Sequence, residues 1–132
     1  VLRIGDVALR RERVPGRYVL DLGEAWTEWT GLPFAYAIWQ ARRDADAGAL
    51  RRLHGILLES LSSFQQHADD LAGRHAARYR LEPDRLLKYW RSLQYTMDAR
   101  MEQGLLRFYQ LAADIGEAPA VPKLQWFDSE SA

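Results

Sequence analysis

The sequence predicts an incomplete, helix-rich α/β fold, and three features of its 132 residues lead to that prediction. An unbroken apolar run at residues 34–39, bounded by turn residues, is typical of a strand buried on both faces. Nearly everything after Asp44 has the apolar spacing of helices. Few other segments could be strands, although a buried parallel strand needs a neighbour on each side. We therefore expect the missing strands to come from sequence outside this chain.

The composition excludes several classes of function. Lys plus Arg and Asp plus Glu both number 18, so the net charge is zero and no electrostatic footprint for nucleic acid or anionic membrane is present. The absence of cysteine removes disulfides, thiolate metal sites and cysteine nucleophiles. No apolar run approaches the ~20 residues of a membrane span, and no signal segment opens the sequence. We expect a cytoplasmic protein with neither nucleic-acid nor membrane partners.

The first candidate site lies at Gly5 and Asp6. Residues 1–4 alternate apolar and polar side chains, which favours a short strand, and a helix is predicted at residues 7–13. A strand that ends in Gly-Asp before a helix places backbone N–H groups and a carboxylate where α/β folds bind ligands. The structural alternative is an ordinary turn in which Asp6 caps the following helix.

Residues 21–39 carry the most specific pattern. Asp21 and Glu24 fit the N-cap and N3 positions of a capping box, and Gly31 with Pro33 ends the helix that follows. The tryptophans of this stretch could stack on an aromatic ligand or could belong to the core. Along the predicted strand, the side chains of Phe34, Tyr36 and Ile38 share one face.

The remaining chain offers few polar groups for chemistry. Helices are predicted over most of residues 46–116, with a break at residues 60–63 and a cap at Thr96 or Asp98 before the last helix. The three histidines form neither an HxxxH nor an HExxH pair, so we expect no metal site. Tyr36 and Tyr95 are the polar tips that could face a cavity, or each could be a satisfied structural hydroxyl.

The stretch DLGEAWTEWTGLPFAYAIW, residues 21–39, resembles a signature of the chorismate dehydratases of the futalosine route to menaquinone. Ile4-Gly5-Asp6 followed by Ala8-Leu9 resembles a second motif of that family, and residues 95–109 resemble its C-terminal helices. The similarity covers most of the chain. One departure is Ala35-Tyr36, where the family pattern has Val-Phe.

This resemblance implies a type II periplasmic-binding-protein-like fold with two α/β lobes and the substrate between them. Members are about twice as long, so the chain is similar to their C-terminal half. Residues 1–33 would then end the second lobe, and residues 34–132 would form the crossing strand and the helices that return to the first lobe. The expected partners are chorismate and the N-terminal half of the same protein.

The resemblance also implies a hydro-lyase that converts chorismate to 3-[(1-carboxyvinyl)oxy]benzoate without a cofactor. Asp6 is the candidate catalytic residue, and Gly5, Tyr36 and Tyr95 are the candidates for substrate binding. We expect the intact parent to be active and the isolated chain to be inactive. The alternative is a non-catalytic solute-binding protein of the same fold; a helical interaction domain ranks last because it leaves residues 34–39 unexplained.

Overall fold

The computed structural model describes residues 1–10, 16 and 18–127, and these contain five helices. In chain order they are α1 (Asp6–Leu9), α2 (Leu22–Thr30), α3 (Ala47–Tyr79), α4 (Pro83–Ser92) and α5 (Ala99–Asp114). The prediction of helix over most of residues 46–116 is therefore confirmed. Of the helix predicted at residues 7–13, residues 11–13 lie outside the described part.

The chain divides into two compact units. The first unit comprises Val1–Tyr18 and Leu53–Tyr95, and the second comprises Val19–Arg52 and Thr96–Ala132. Each unit is built from segments that are distant in the sequence, so neither is a continuous stretch of chain.

The predicted strands are not paired in this structure. Within the described residues no strand is present, and residues 1–4 and 34–39 are irregular, with residues 1–4 exposed. The prediction that residues 34–39 are buried on both faces is wrong for this chain, because Tyr36 is 69% exposed and Trp39 is 80% exposed. The physical reason is that a strand is buried only between neighbouring strands, and the described residues supply none.

The core of the first unit forms where α4 packs on the second half of α3. Ala68, Ala72 and Ala76 repeat at four-residue spacing and are buried, so they form a narrow stripe of small side chains on α3. Leu86 and Leu87 of α4 are buried in two clusters with these alanines. Burying a leucine side chain contributes roughly 1.5–3 kcal/mol, and Leu86, at 1% exposed, should approach the upper end of that range.

Helix α3 is interrupted at a different residue from the one predicted. Residues 60–63 are helical, so the predicted break there is wrong. The interruption lies at His67, whose backbone is non-helical (φ −120°, ψ 16°). The ring Nδ1 of His67 lies 2.8 Å from the carbonyl oxygen of Ser63 and forms a hydrogen bond with it. The break predicted from the serines was wrong because serine inside a helix costs little more than other ordinary residues.

Helix α3 ends in a left-handed residue that is not glycine. Arg80 has φ +54°, and the amide of Leu81 donates to the carbonyl of Ala76 at 3.1 Å, which is the long hydrogen bond of a Schellman motif. Pro83 then occupies the first turn of α4. The guanidinium of Arg85 donates to the carbonyl oxygen of Leu9 at 2.7 Å and so fixes α1 within the first unit.

Candidate functional site

The turn and helix at residues 21–33 organise the second unit. The carboxylate of Asp21 accepts hydrogen bonds from the amides of Gly23 at 2.9 Å and Glu24 at 3.1 Å, which confirms the predicted cap. At the other end Gly31 adopts φ +69°, and its amide donates to the carbonyl of Thr27 at 2.9 Å. The predicted helix stop at Gly31 is thus confirmed, because a left-handed residue ends the helix.

Trp26 is the centre of an aromatic cluster in this unit. Its side chain is 8% exposed, and its ring makes edge-to-face contacts with Phe34 at 5.5 Å and Phe108 at 6.0 Å between centroids. The indole N–H donates to the carbonyl oxygen of Pro33 at 3.2 Å. Trp26 therefore has the core role that the sequence left as one alternative, whereas Trp29 is exposed.

Helix α5 holds the Gly-Leu-Pro turn from the other side. A Cβ atom at Gly104 would overlap the carbonyl oxygen of Pro33, so the helix approaches the turn backbone as only glycine permits. The guanidinium of Arg100 donates to the carbonyl oxygen of Gly31 at 2.7 Å. Asp98 caps α5 by accepting from the amide of Met101 at 2.8 Å, so it is the capping residue of the two predicted. We call residues 31–33 with these contacts from α5 the turn clamp.

The clamp residues Arg100 and Gly104 were not singled out as functional from the sequence. Gly104 lies in the interior of a predicted helix, where glycine is unfavourable by about 0.5–1 kcal/mol relative to alanine. A glycine at such a position can have a packing reason, and that signal could have found Gly104. No comparable signal marks Arg100, because an exposed arginine on a helix is ordinary.

Gly5 and Asp6 lie at the start of α1. Gly5 (φ +61°) is the N-cap of α1, and its carbonyl oxygen accepts from the amide of Ala8 at 2.9 Å. Asp6 is the first helical residue and not the N-cap, so the alternative in which it caps a helix starting at Val7 is wrong. Its carboxylate instead forms an ion pair with Arg10 at 3.1 Å, one turn later. A carboxylate in the first turn is also favoured by the helix dipole.

The ion pair leaves Asp6 accessible. The Asp6 side chain is 53% exposed and that of Arg10 is 33% exposed. Exposed pairs of this kind are worth only about 0.2–1 kcal/mol, so the contact does not by itself explain an aspartate here. Asp6 therefore remains a predicted catalytic residue in the first unit.

The two candidate tyrosines differ in their surroundings. The hydroxyl of Tyr95 donates to the carbonyl oxygen of Trp90 at 3.1 Å, and its ring lies 5.3 Å from that of Phe64. Burial raises the pKa of the Tyr95 phenol, and the nearby Tyr89 adds to the rise. These contacts support the structural role for Tyr95. Tyr36 belongs to the second unit, with its ring 4.9 Å from Phe34.

The four candidates are distributed over the two units: Gly5, Asp6 and Tyr95 belong to the first, and Tyr36 belongs to the second. Asp6 pairs with Arg10, Tyr95 binds the backbone of Trp90, and Tyr36 packs on Phe34. A shallow groove of about 550 Å³ in the first unit is lined by other side chains. These are Asp69, Asp84, Leu87, Lys88, Arg91 and Ser92. Arg91 is paired there with Asp69 at 2.9 Å.

The described part of the chain has neither a metal-binding cluster nor a membrane-spanning helix. Its residues contain no group of three or more His, Cys, Asp or Glu side chains that could hold a metal ion. Among the same residues, no helix combines the length and the apolar character needed to cross a bilayer.

Comparison with known proteins decides the family. A family model described as menaquinone biosynthesis matches residues 1–114. The chain belongs to the menaquinone biosynthesis family. The match covers the Gly5–Asp6 turn and the turn clamp, and it ends at Asp114, the last residue of α5. No solved structure matches the chain. Membership supports a role in menaquinone biosynthesis.

Proposed function

We propose that this member of the menaquinone biosynthesis family is part of a chorismate dehydratase, a cytoplasmic hydro-lyase. The observation that carries the proposal is the family match over residues 1–114, which contains the whole 21–39 motif. The organisation of that motif supports it, since the Asp21 cap and the Trp26 hydrogen bond to Pro33 are both formed.

The proposed reaction is a 1,2-elimination that makes the substrate ring aromatic. A base removes the proton from ring C3 of chorismate, the C3–H electron pair forms the new ring double bond, and the C4 hydroxyl leaves as water after receiving a proton. The product is 3-[(1-carboxyvinyl)oxy]benzoate. Aromatisation supplies the driving force, so the proposal includes no cofactor. The protein must supply a base, a proton donor for the leaving hydroxyl, and donors for two carboxylates.

Asp6 is the residue of this chain that we propose for the elimination. Its side chain is 53% exposed beside the ion pair with Arg10, so the carboxylate is accessible to a ligand. Gly5 beside it has no side chain and φ +61°, which allows close approach of a substrate to the backbone. We propose Tyr36 for a wall of the substrate cleft. Tyr95 remains a proposed binding residue, although its hydroxyl already donates to Trp90.

We further propose that this chain works together with an N-terminal half in a two-lobed, type II periplasmic-binding-protein-like fold. Residues 1–33 would end the second lobe, and residues 34–132 would return to the first. Support comes from the irregular segment at residues 34–39, whose exposed Trp39 would be covered by neighbouring strands. The first lobe's cleft wall would then come from the N-terminal half.

The test compares the purified chain with the same chain combined with a complementary N-terminal half. Chorismate is added, and 3-[(1-carboxyvinyl)oxy]benzoate is measured by liquid chromatography and mass spectrometry. We expect no turnover by the chain alone and turnover by the combined protein. Product formation by the chain alone contradicts the need for a second half. A folded combined protein that binds chorismate without consuming it points to the solute-binding alternative.

A further inference from the structure

Gly23 lies in the second unit, beside the end of the Tyr36 side chain. It lies in the first turn of α2, and a Cβ atom built there would overlap the hydroxyl oxygen of Tyr36 and lie 3.0 Å from its Cζ. Its φ is not in the left-handed region, so the backbone does not require glycine. The space beside Gly23 is filled by the end of the Tyr36 side chain, which a Cβ atom at this position would displace.

The ring of Tyr36 is therefore held at two points. Its hydroxyl end rests over Gly23, and its ring meets Phe34 edge-to-face at 4.9 Å with an interplanar angle of 73°. Phe34 is itself packed on the buried Trp26. A tyrosine on an irregular surface segment usually has several rotamers available. Here two contacts favour one rotamer while 69% of the residue stays exposed.

We propose that Gly23 is a positioning residue for ligand binding: by leaving room for the hydroxyl, it orients the exposed part of the Tyr36 ring toward a flat, carboxylated six-membered ring. The inference rests on the proposed function, in which Tyr36 forms a cleft wall. The chemistry fits the proposed ligand, because the edge and face of a phenol ring both favour contact with a planar unsaturated ring. A fixed ring also saves the rotamer entropy that a mobile tyrosine would lose on binding.

The first experiment measures the placement of the ring. The chain is labelled at Tyr36 with a fluorinated tyrosine, and the ¹⁹F resonance is recorded for wild type, Gly23→Ala and Gly55→Ala. Gly55 is the matched control, because it lies in helix α3 and a Cβ there meets nothing within 4 Å. We expect Gly23→Ala to shift the resonance and Gly55→Ala to leave it unchanged. An unchanged resonance in Gly23→Ala overturns the proposal.

A second variant guards against a general loss of structure. We expect Gly23→Ala to lower the melting temperature, because its methyl group overlaps the Tyr36 hydroxyl. Tyr36→Phe removes that hydroxyl, so the double variant Gly23→Ala with Tyr36→Phe should regain the lost melting temperature. If the double variant melts as low as Gly23→Ala, the alanine acts through something other than the Tyr36 hydroxyl, and the proposal fails.

The third measurement concerns chorismate itself, in the combined protein. We expect Gly23→Ala to raise KM at least about threefold with kcat within about twofold, as for lost uniform binding. An unchanged KM beside a shifted ring resonance refutes the role in ligand binding. If the folded wild-type protein does not turn over chorismate, the proposed function fails. The Kd for 3-hydroxybenzoate is then compared between wild type and Gly23→Ala. An equal Kd for wild type and Gly23→Ala overturns the inference.

Discussion

Replacing Gly104 by alanine changes the closest contact of the turn clamp. The added methyl group would overlap the carbonyl oxygen of Pro33. That neighbour is backbone, which cannot rotate aside as a side chain could, so α5 or the turn must move. The same carbonyl accepts the indole N–H of the buried Trp26 at 3.2 Å, so displacement of the turn also strains that hydrogen bond.

The expected magnitude follows from three contributions. Overpacking of a well-packed site costs typically 1–3 kcal/mol, and weakening a hydrogen bond adds about 0.5–1.5 kcal/mol. Alanine in a helix interior is more favourable than glycine by roughly 0.5–1 kcal/mol, which offsets part of this loss of stability. Gly104→Ala should therefore lower the free energy of unfolding by about 0.5–4 kcal/mol when the three ranges are combined.

Gly73→Ala is the matched control for this prediction. Gly73 lies inside α3, is exposed, and a Cβ there meets nothing within 4 Å. Only the helix-propensity gain applies, so this variant should be more stable than wild type by roughly 0.5–1 kcal/mol. Urea unfolding followed by tryptophan fluorescence gives both values. The reasoning is refuted if the two substitutions change the free energy of unfolding in the same direction.

Three further predictions concern single side chains. Asp21→Ala should cost about 0.5–2 kcal/mol in urea unfolding, because it removes the cap of α2, whereas Asp21→Asn should cost little. In the combined protein, Asp6→Asn should lower kcat/KM at least ~10²-fold, about 2.7 kcal/mol, with a nearly unchanged melting temperature; near wild-type turnover would argue against a catalytic carboxylate. The pKa of Tyr95 is raised in the folded state, so folding favours the neutral phenol. The contribution of Tyr95 to stability is therefore complete below the unfolded pKa near 10, and it is lost as the pH rises through the higher folded pKa. Tyr95→Phe should therefore flatten the alkaline fall of stability, and an unchanged pH profile would contradict this.

The sequence predicted best where local chemistry decides the structure. Asp21 and Asp98 are helix caps in the structure because a short carboxylate satisfies amides only a few residues away. Gly31 ends α2 for an equally local reason, its positive φ. The helices over most of residues 46–116 were predicted from apolar spacing, which is also local, although the interruption inside α3 lies at His67 and not at residues 60–63.

Features that depend on distant parts of the chain were not predictable. The prediction for residues 34–39 assumed that neighbouring strands were present, and apolar spacing alone cannot supply them. Gly104 and Pro33 are 71 positions apart in the sequence, and their contact depends on how α5 packs. The pairing of Asp6 with Arg10 is local, yet it competed with an equally local capping role. The choice depended on whether the helix began at Asp6 or at Val7.

The interruption at His67 divides α3 into two cooperative segments. A helix propagates because each new residue adds one hydrogen bond to an existing turn, and a non-helical residue ends that propagation. The 33 residues of α3 therefore open as arms of 47–66 and 68–79 rather than as one rod of about 50 Å. The arms also differ in anchoring, because the buried residues of α3 are Ala68, Ala72 and Ala76, all in the second arm. Local unfolding should begin in the first arm, whose amides then exchange with solvent faster, while the second arm remains folded against α4.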